Sequence, residues 1–428
     1  LPEPPSAAWR ISQVSGSGPA DRRENVIVDA DLVVIGAGAL GLSTALQAAM
    51  LGESVVVVER RTAGSQASGR AAGLFKSVQA DELRTRLARR SIELAVSFPD
   101  WAGVPLPVAR SGSFLIARTD AHRDYLRTEA RQSRGWGADV READPSELGQ
   151  RNACYQGDGT ELALWCPEDV YIEEPGSLIG AYLAAGLLRG VELLESETVT
   201  AIILAGGRVA AVETSRRTIR TTTVVDAAGA WTRQVAELAG CSIAVAPVRH
   251  QLLITGPDPD TDPAGPICRV VDAAVYLRPA RGGLMLGGFE PAPLPVDPRA
   301  EPASFSTDDL VLDAGVLRDF ARQVEAQVPQ AGAAAVAEHR GGLFTMSPDG
   351  RFITGPVPGV PGLWVASGCN GSGFSSSPAL GEALANWIFR RRPAIGIDAL
   401  SPARFGPLTD GELIRAGVWQ YAHYYDPA

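Results

Sequence analysis

The chain has almost no lysine. Of its 428 residues 39 are basic, and Lys76 is the sole lysine among arginines. Any chemistry that needs a lysine amine therefore has one candidate. Cysteine is also scarce: Cys154, Cys166, Cys241, Cys268 and Cys369 are odd in number and scattered, with no C-x-x-C. That pattern fits a reducing cytoplasm and argues against a zinc site. The four histidines, His122, His250, His339 and His423, show no metal-ligand spacing. A formal charge of -10 gives no electrostatic support to a nucleic-acid or anionic-membrane partner. No apolar run reaches the roughly 18 residues that span a bilayer. The start lacks a basic-then-apolar signal, although a first residue of Leu1 rather than Met leaves a removed signal open. What is present is ordinary for a globular protein, 45% hydrophobic and 21% charged, in a chain long enough for two domains. These features suggest a cytoplasmic protein, monomer or homo-oligomer, with no membrane or nucleic-acid partner.

Against that background the run Asp31-Leu-Val-Val-Ile-Gly-Ala-Gly-Ala-Leu-Gly41 stands out. Leu32 to Ile35 suit a buried parallel strand, and Gly36, Gly38 and Gly41 follow in G-x-G-x-x-G spacing. Gly36 permits a sharp turn, Gly38 a close approach of backbone to a pyrophosphate, and Gly41 tight packing of helix on strand. A helix beginning at Ala39 and Leu40 points its first amides at the phosphates. Val55 to Val58 make the next strand, and Glu59 stands where an acid bonds a ribose hydroxyl. An acid there fits FAD or NAD and argues against a 2′-phosphate.

Further along, apolar periodicity predicts helices over 81–98, 121–133, 175–189, 308–328 and 379–390. Strands are expected over 113–117, 191–195, 198–204, 248–255, 275–278, 284–289 and 364–368. A hairpin is expected from 208–214 and 217–225. A second strand-to-glycine unit, Val224-Val-Asp-Ala-Ala-Gly-Ala-Trp231, lies far from the first. The fold class expected is therefore α/β: a Rossmann-type nucleotide-binding domain built from discontinuous segments, plus an inserted antiparallel-sheet domain, which the resemblance given below makes an FAD-binding domain and a substrate domain. The boundaries drawn are a flexible arm over 1–27 and a cofactor domain from 28–108, 168–245 and 336–397. A substrate domain takes 109–167 and 246–335, and a C-terminal extension takes 398–428, whose aromatic end Trp419 to Tyr425 packs on the core or on a partner.

Four blocks carry a resemblance: Gly36 to Gly41 with Glu59; Ala67-Ser-Gly-Arg-Ala-Ala-Gly-Leu74; Asp226-Ala-Ala-Gly-Ala-Trp231; and Ser347-Pro-Asp349 leading to Gly368-Cys-Asn-Gly-Ser-Gly-Phe374. In order and spacing, over about residues 30 to 395, the chain resembles the FAD-dependent amine oxidoreductases of the D-amino-acid oxidase, glycine oxidase and sarcosine oxidase family. Tyr276-Leu-Arg-Pro with Gly282 to Gly288 is similar to the sarcosine and dimethylglycine dehydrogenase branch. The resemblance implies FAD. It assigns to the cofactor Gly36, Gly38, Ala39, Leu40, Gly41, Glu59 and Arg60; Ser68, Gly69, Arg70, Ala71, Ala72, Gly73 and Leu74; Val199; Ala228, Gly229 and Trp231; Gly342; and Gly371, Ser372, Gly373, Phe374 and Ser375. The cysteine that attaches flavin in some sarcosine oxidases corresponds to Gly342, and the attachment histidine is missing from Ser68 to Ala72, so non-covalent FAD is expected.

The same resemblance implies a small amino-acid-like amine as substrate, with O2 as reoxidant. The carboxylate anchors of relatives correspond to Phe344 and Ser375, neither of them cationic. Arg278, which shares a strand face with Tyr276, is the first replacement, ahead of Arg340, Arg70 and Lys76; the alternative for Arg278 is a surface arginine. The oxygen-activating lysine corresponds to Met285, and Lys76 either serves instead or is simply ion-paired. Tyr276, Arg278, Lys76 and Phe344 are thus the expected catalytic set, with His250 and Gln251 nearby and His250 read as structural. The expected reaction oxidises the C–N bond of an N-substituted glycine, such as an N-carboxymethyl amino acid, by hydride loss to flavin N5. Imine hydrolysis then gives glyoxylate and an amine, and O2 is reduced to H2O2. The alternatives are an amine dehydrogenase with another acceptor, a non-catalytic FAD-binding subunit, and a different flavin or NAD enzyme.

Overall fold

The computed structural model describes residues 27–152 and 154–426. The arm expected over 1–27 lies outside the described residues except for Ile27.

A six-stranded sheet runs in the order Ile353–Pro356, Leu363–Ser367, Val224–Asp226, Leu32–Ile35, Val55–Val58, Glu192–Leu194. Its pairs are parallel except the first. The central strands are apolar on both faces because both are covered. Leu32, Val34, Val55 and Val57 pack beneath the helices Ala39–Met50, Glu82–Val96, Gly176–Leu187 and Gly373–Ile388. Val33, Ile35, Val56 and Val58 meet a four-stranded sheet of Ile27–Asp29, Thr218–Arg220, Arg208–Thr214 and Val199–Ala205.

The larger sheet has eight strands, in the order Val336–Met346, Ala246–Thr255, Gly283–Gly288, Val275–Ala280, Ile267–Val270, Ser113–Ala117, Leu162–Cys166, Arg141–Glu142. It is antiparallel except where Ile267–Val270 runs alongside Ser113–Ala117. Its outer face packs on the helix Ala314–Val324 through Leu317, Phe320 and Val324. Its other face looks toward the glycine turns. The C-terminal helix Asp410–Ala422, started by a reciprocal Thr409–Glu412 cap, sits on this sheet. Gly417 makes the close approach: a Cβ there would lie 2.7 Å from the Ala246 Cβ.

Several elements differ from expectation. The helix expected over 308–328 is confined to Ala314–Val324. Ser306 and Asp309 cap a separate short turn, Asp313 caps the helix itself, and Pro329 disfavours helical backbone just before it. The segment 217–225 divides between two sheets as Thr218–Arg220 and Val224–Asp226. The helix expected from Ala379 begins at Gly373, running through Pro378; the Phe374 carbonyl that Pro378 cannot serve accepts the Ser377 hydroxyl at 2.8 Å. The strand Val336–Met346 has no sequence signal because Glu-His-Arg-Gly-Gly reads as a loop. It lies in the eight-stranded sheet, although the boundaries drawn put residue 336 onward with the cofactor domain. Gly341 lets the Leu312 side chain lie against the strand, its Cδ2 2.2 Å from where a Cβ would stand.

Candidate active site

The first turn is built around backbone that only glycine tolerates. Gly36 has φ +104°, and a Cβ on it would stand 2.6 Å from the Ala227 carbonyl. A Cβ on Gly41 would strike the Gly36 carbonyl at 2.0 Å, so these two glycines lock strand, turn and helix together. Glu59 holds the turn: its carboxylate accepts the N–H groups of Ala37 and Arg61, each at 2.9 Å. The Ser68 hydroxyl accepts the Ala39 N–H at 3.0 Å, joining the second glycine loop to the first helix.

One cavity of about 400 Å³ runs from this turn to the face of the eight-stranded sheet. At the turn end it is lined by Gly36, Gly38, Ala39, Leu40, Glu59, Arg60 and Val199, with Ala228, Gly229 and Trp231 opposite. Arg60 lies 4.0 Å over the Trp231 ring. The middle is lined by Ser68, Arg70, Ala71, Ala72, Gly73 and Leu74, and by Gly342, Gly371, Gly373, Phe374 and Ser375. Three expected cofactor residues do not line it. Gly41 and Gly69 are needed for close packing instead, and Ser372 precedes the helix Gly373–Ile388.

The far end is lined by Lys76, His250, Arg269, Tyr276, Phe289, Phe344, Tyr424 and Tyr425. Tyr276, Lys76 and Phe344 are therefore brought together, and Arg278 is not. Arg278 shares the strand face of Tyr276, but its guanidinium donates to the carbonyls of Ala72 (3.0 Å), Pro279 (2.7 Å) and Glu173 (2.9 Å). It is wholly buried and lies over the Tyr171 ring; burial lowers its pKa to about 10. A guanidinium with three of its N–H groups on buried carbonyls, outside the cavity lining, is a structural clamp, and the structure does not bring Arg278 into the site as the expected carboxylate anchor. Met285 is fully buried in an apolar cluster with Leu252, Ile254 and Ala280. Lys76 pairs with Glu129 at 3.4 Å.

His250 is the polar centre of this end. Its Nε2 lies 2.8 Å from the Tyr276 hydroxyl and its Nδ1 2.8 Å from the Tyr421 hydroxyl, so a residue of the C-terminal helix completes the chain. The Phe344 ring stacks on the imidazole at 4.1 Å. Burial lowers the His250 pKa to about 3 and raises that of Tyr276, so both are neutral at ordinary pH. Arg269 was not foreseen, although an arginine inside the apolar run Ile267-Cys-Arg-Val270 was a legible signal. Its place directly across from Tyr276 depends on strand pairing.

A family model described as FAD dependent oxidoreductase matches residues 31–387. The chain belongs to that family. This oxidoreductase is 27% identical, over 87% of its length, to 4-methylaminobutanoate oxidase (formaldehyde-forming) of Paenarthrobacter nicotinovorans, of which it covers 45%. It is 26% identical, over 96% of its length, to mitochondrial dimethylglycine dehydrogenase of Mus musculus, of which it covers 48%. The chain thus spans about half the length of these curated relatives. Among solved structures, L-proline dehydrogenase from P. horikoshii superposes with a TM-score of 0.80 at 23% identity, covering 89% of this chain and 98% of that one. The residues present fit FAD: the Gly36 cradle admits no side chain, Glu59 is fixed at the end of its strand, and one cavity joins that turn to the sheet face. Among the described residues no helix is long and apolar enough to cross a membrane.

Proposed function

We propose that this oxidoreductase oxidises the C–N bond of a secondary amine bearing a carboxylate, an N-substituted glycine such as an N-carboxymethyl amino acid. The observation that carries this reading is the neutral, desolvated Tyr276–His250–Tyr421 chain at the far end of the cavity. A site without positive charge on its imidazole, walled by Phe289, Phe344, Tyr424 and Tyr425, disfavours a bound ammonium. The amine is held as its free base with its lone pair available. One tautomer of neutral His250 accepts the Tyr276 O–H at Nε2 and donates from Nδ1 to Tyr421, which leaves the Tyr276 oxygen to accept the substrate N–H. The α-carbon then loses hydride as the nitrogen lone pair closes the C=N bond, and water splits the imine to a carbonyl compound and an amine. FAD, when bound, supplies the two-electron acceptor. Orientation and exclusion of water are the protein's contribution, which accounts for a site without a strong general base.

The FAD is held without a covalent bond, a reading supported by Gly342 at the one attachment position and by the absence of histidine from Ser68 to Ala72. Acid precipitation should release all flavin to the supernatant. Anaerobic addition of amines should bleach the visible flavin absorption with N-substituted glycines. A panel in which only free glycine or D-alanine reacts would overturn the substrate class, and bound flavin reduced by no amine would overturn the reaction. Readmitting air separates oxidase from dehydrogenase by the speed of recovery; rapid recovery with H2O2 is expected.

A further inference from the structure

We propose that the end of the six-stranded sheet opposite the glycine turns binds a small molecule carrying two or more phosphate groups, held by Arg208, Arg390, Arg391 and Arg392. This site is independent of the amine reading above. A second cavity opens there, lined by these four arginines together with Trp364 and Trp387, and no acid is among its lining residues. It is separate from the cofactor cavity. The parallel strands Val224–Asp226 and Leu363–Ser367 present their C-terminal ends to the first cavity and their N-terminal ends to the second. The helix Gly373–Ile388 likewise starts in the wall of the first and ends in the wall of the second, about 24 Å away for its 16 residues.

The arginines converge from two elements that the fold brings together. Arg208 opens the second strand of the hairpin Val199–Ala205 and Arg208–Thr214. The Val209 N–H donates to the Pro361 carbonyl at 3.0 Å, which holds that hairpin against the start of the strand Leu363–Ser367. Arg390, Arg391 and Arg392 follow the helix Gly373–Ile388, which closes with a Schellman motif. The Arg390 N–H donates to the Trp387 carbonyl at 3.2 Å and the Arg391 N–H to the Asn386 carbonyl at 2.7 Å. That motif needs a left-handed residue, and Arg390 supplies it at φ +53°. Glycine adopts this backbone without strain, so arginine is the costlier choice there, and what it adds is a guanidinium on the cavity wall. Basic residues at a helix C-terminus also offset its dipole. That accounts for the run after Ile388 but not for Arg208, which belongs to another sheet.

Arg220 and Arg281, both exposed, are paired with Asp29 and with Glu174 and Glu338. Arg208, Arg390, Arg391 and Arg392 are exposed too, but have no carboxylate partner among the described residues. Four like charges on one cavity repel one another until an anion sits among them. A phosphate matches the guanidinium fork two bonds at a time and carries close to two charges, so two phosphates come near to balancing four arginines. The half-buried indoles of Trp364 and Trp387, packed edge to face at 5.5 Å, make one side of the cavity apolar and strengthen such pairs relative to open water.

The test is titration calorimetry in phosphate-free buffer on FAD-loaded protein, where the flavin keeps the probes out of the first cavity. Pyrophosphate and ADP should each bind once per chain, at least about 10-fold more tightly than sulfate, and rising salt should weaken both. Arg208→Gln and Arg391→Gln should each weaken pyrophosphate by roughly 10- to 100-fold, the loss of a charged hydrogen-bonded contact, with flavin content unchanged. Arg131→Gln, exposed on the helix Asp120–Gly135, should bind like the unaltered protein. Arg390→Gly relaxes the left-handed backbone, so it should keep its thermal midpoint and still lose pyrophosphate affinity, which separates binding from folding. Sulfate bound as tightly as pyrophosphate would mean an adventitious ion only and would overturn the site. So would the absence of saturable binding by either phosphate, or pyrophosphate bound equally by Arg390→Gly and the unaltered protein. A polyglutamate peptide that binds where pyrophosphate does not would overturn it in favour of a protein partner.

Discussion

The two ends of the cavity are built by opposite means. The turn end is local: Gly36, Gly41 and Glu59 come from one strand-turn-helix-strand unit, the two glycines set by backbone that a side chain would break and Glu59 by its carboxylate on the turn's N–H groups. The far end is assembled from strands distant in sequence and from the last turns of the C-terminal helix. His250, Tyr276 and Tyr421 meet only because Ala246–Thr255, Val275–Ala280 and Asp410–Ala422 pack together. The contrast teaches that the turn end is shaped mainly by main chain, while the far end is shaped by side chains whose partners are decided by sheet order.

The sharpest test of the first half is Gly36→Val. With φ at +104° and a carbonyl 2.6 Å from the new Cβ, the turn is lost, and purified protein should retain under about one tenth of its flavin. Flavin content by absorbance decides it, and a fully loaded variant would break the claim that backbone sets this end. For the second half, Tyr276→Phe should keep its flavin and lose about 100-fold in the rate of anaerobic reduction, the scale of one positioned hydrogen-bonding group. Loss of flavin in that variant would blur the division between the two ends.

Arginine offers the next contrast. Arg278→Met leaves three buried carbonyls without donors and should cost roughly 2–3 kcal/mol or more in unfolding free energy, with little change in carboxylate affinity. Denaturant midpoints set beside binding titrations read both.

The smallest effect is pH-dependent. Folded His250 has its pKa lowered to about 3 from an ordinary 6.5, so the stability tied to its neutral form is complete above 6.5 and is lost as pH falls toward 3. The slope should approach about 1.4 kcal/mol per pH unit once the unfolded imidazole is mostly protonated. Thermal unfolding between pH 7 and 5, above the range where most carboxylates titrate, should show a slope that His250→Gln lacks. An equal slope in both proteins would place the titration elsewhere.

Much of this molecule follows from sequence alone. The glycine spacing with Glu59, the second unit ending at Trp231, and the family they indicate are legible because each rests on contacts within a short stretch. The α/β class follows likewise from apolar runs bounded by glycine. The far end of the cavity is different. Arg278 and Arg269 are both arginines in buried strands near Tyr276, and no local pattern separates them. Tertiary structure does, by placing three carbonyls around Arg278 and leaving Arg269 with a carboxylate already satisfied by two serines. The strand Val336–Met346 and the bond from Tyr421 to His250 are likewise products of packing. Sequence determines where backbone must bend or come close, since that is a property of each residue; which charges remain open to a ligand depends on every group packed around them, and only the folded chain decides it.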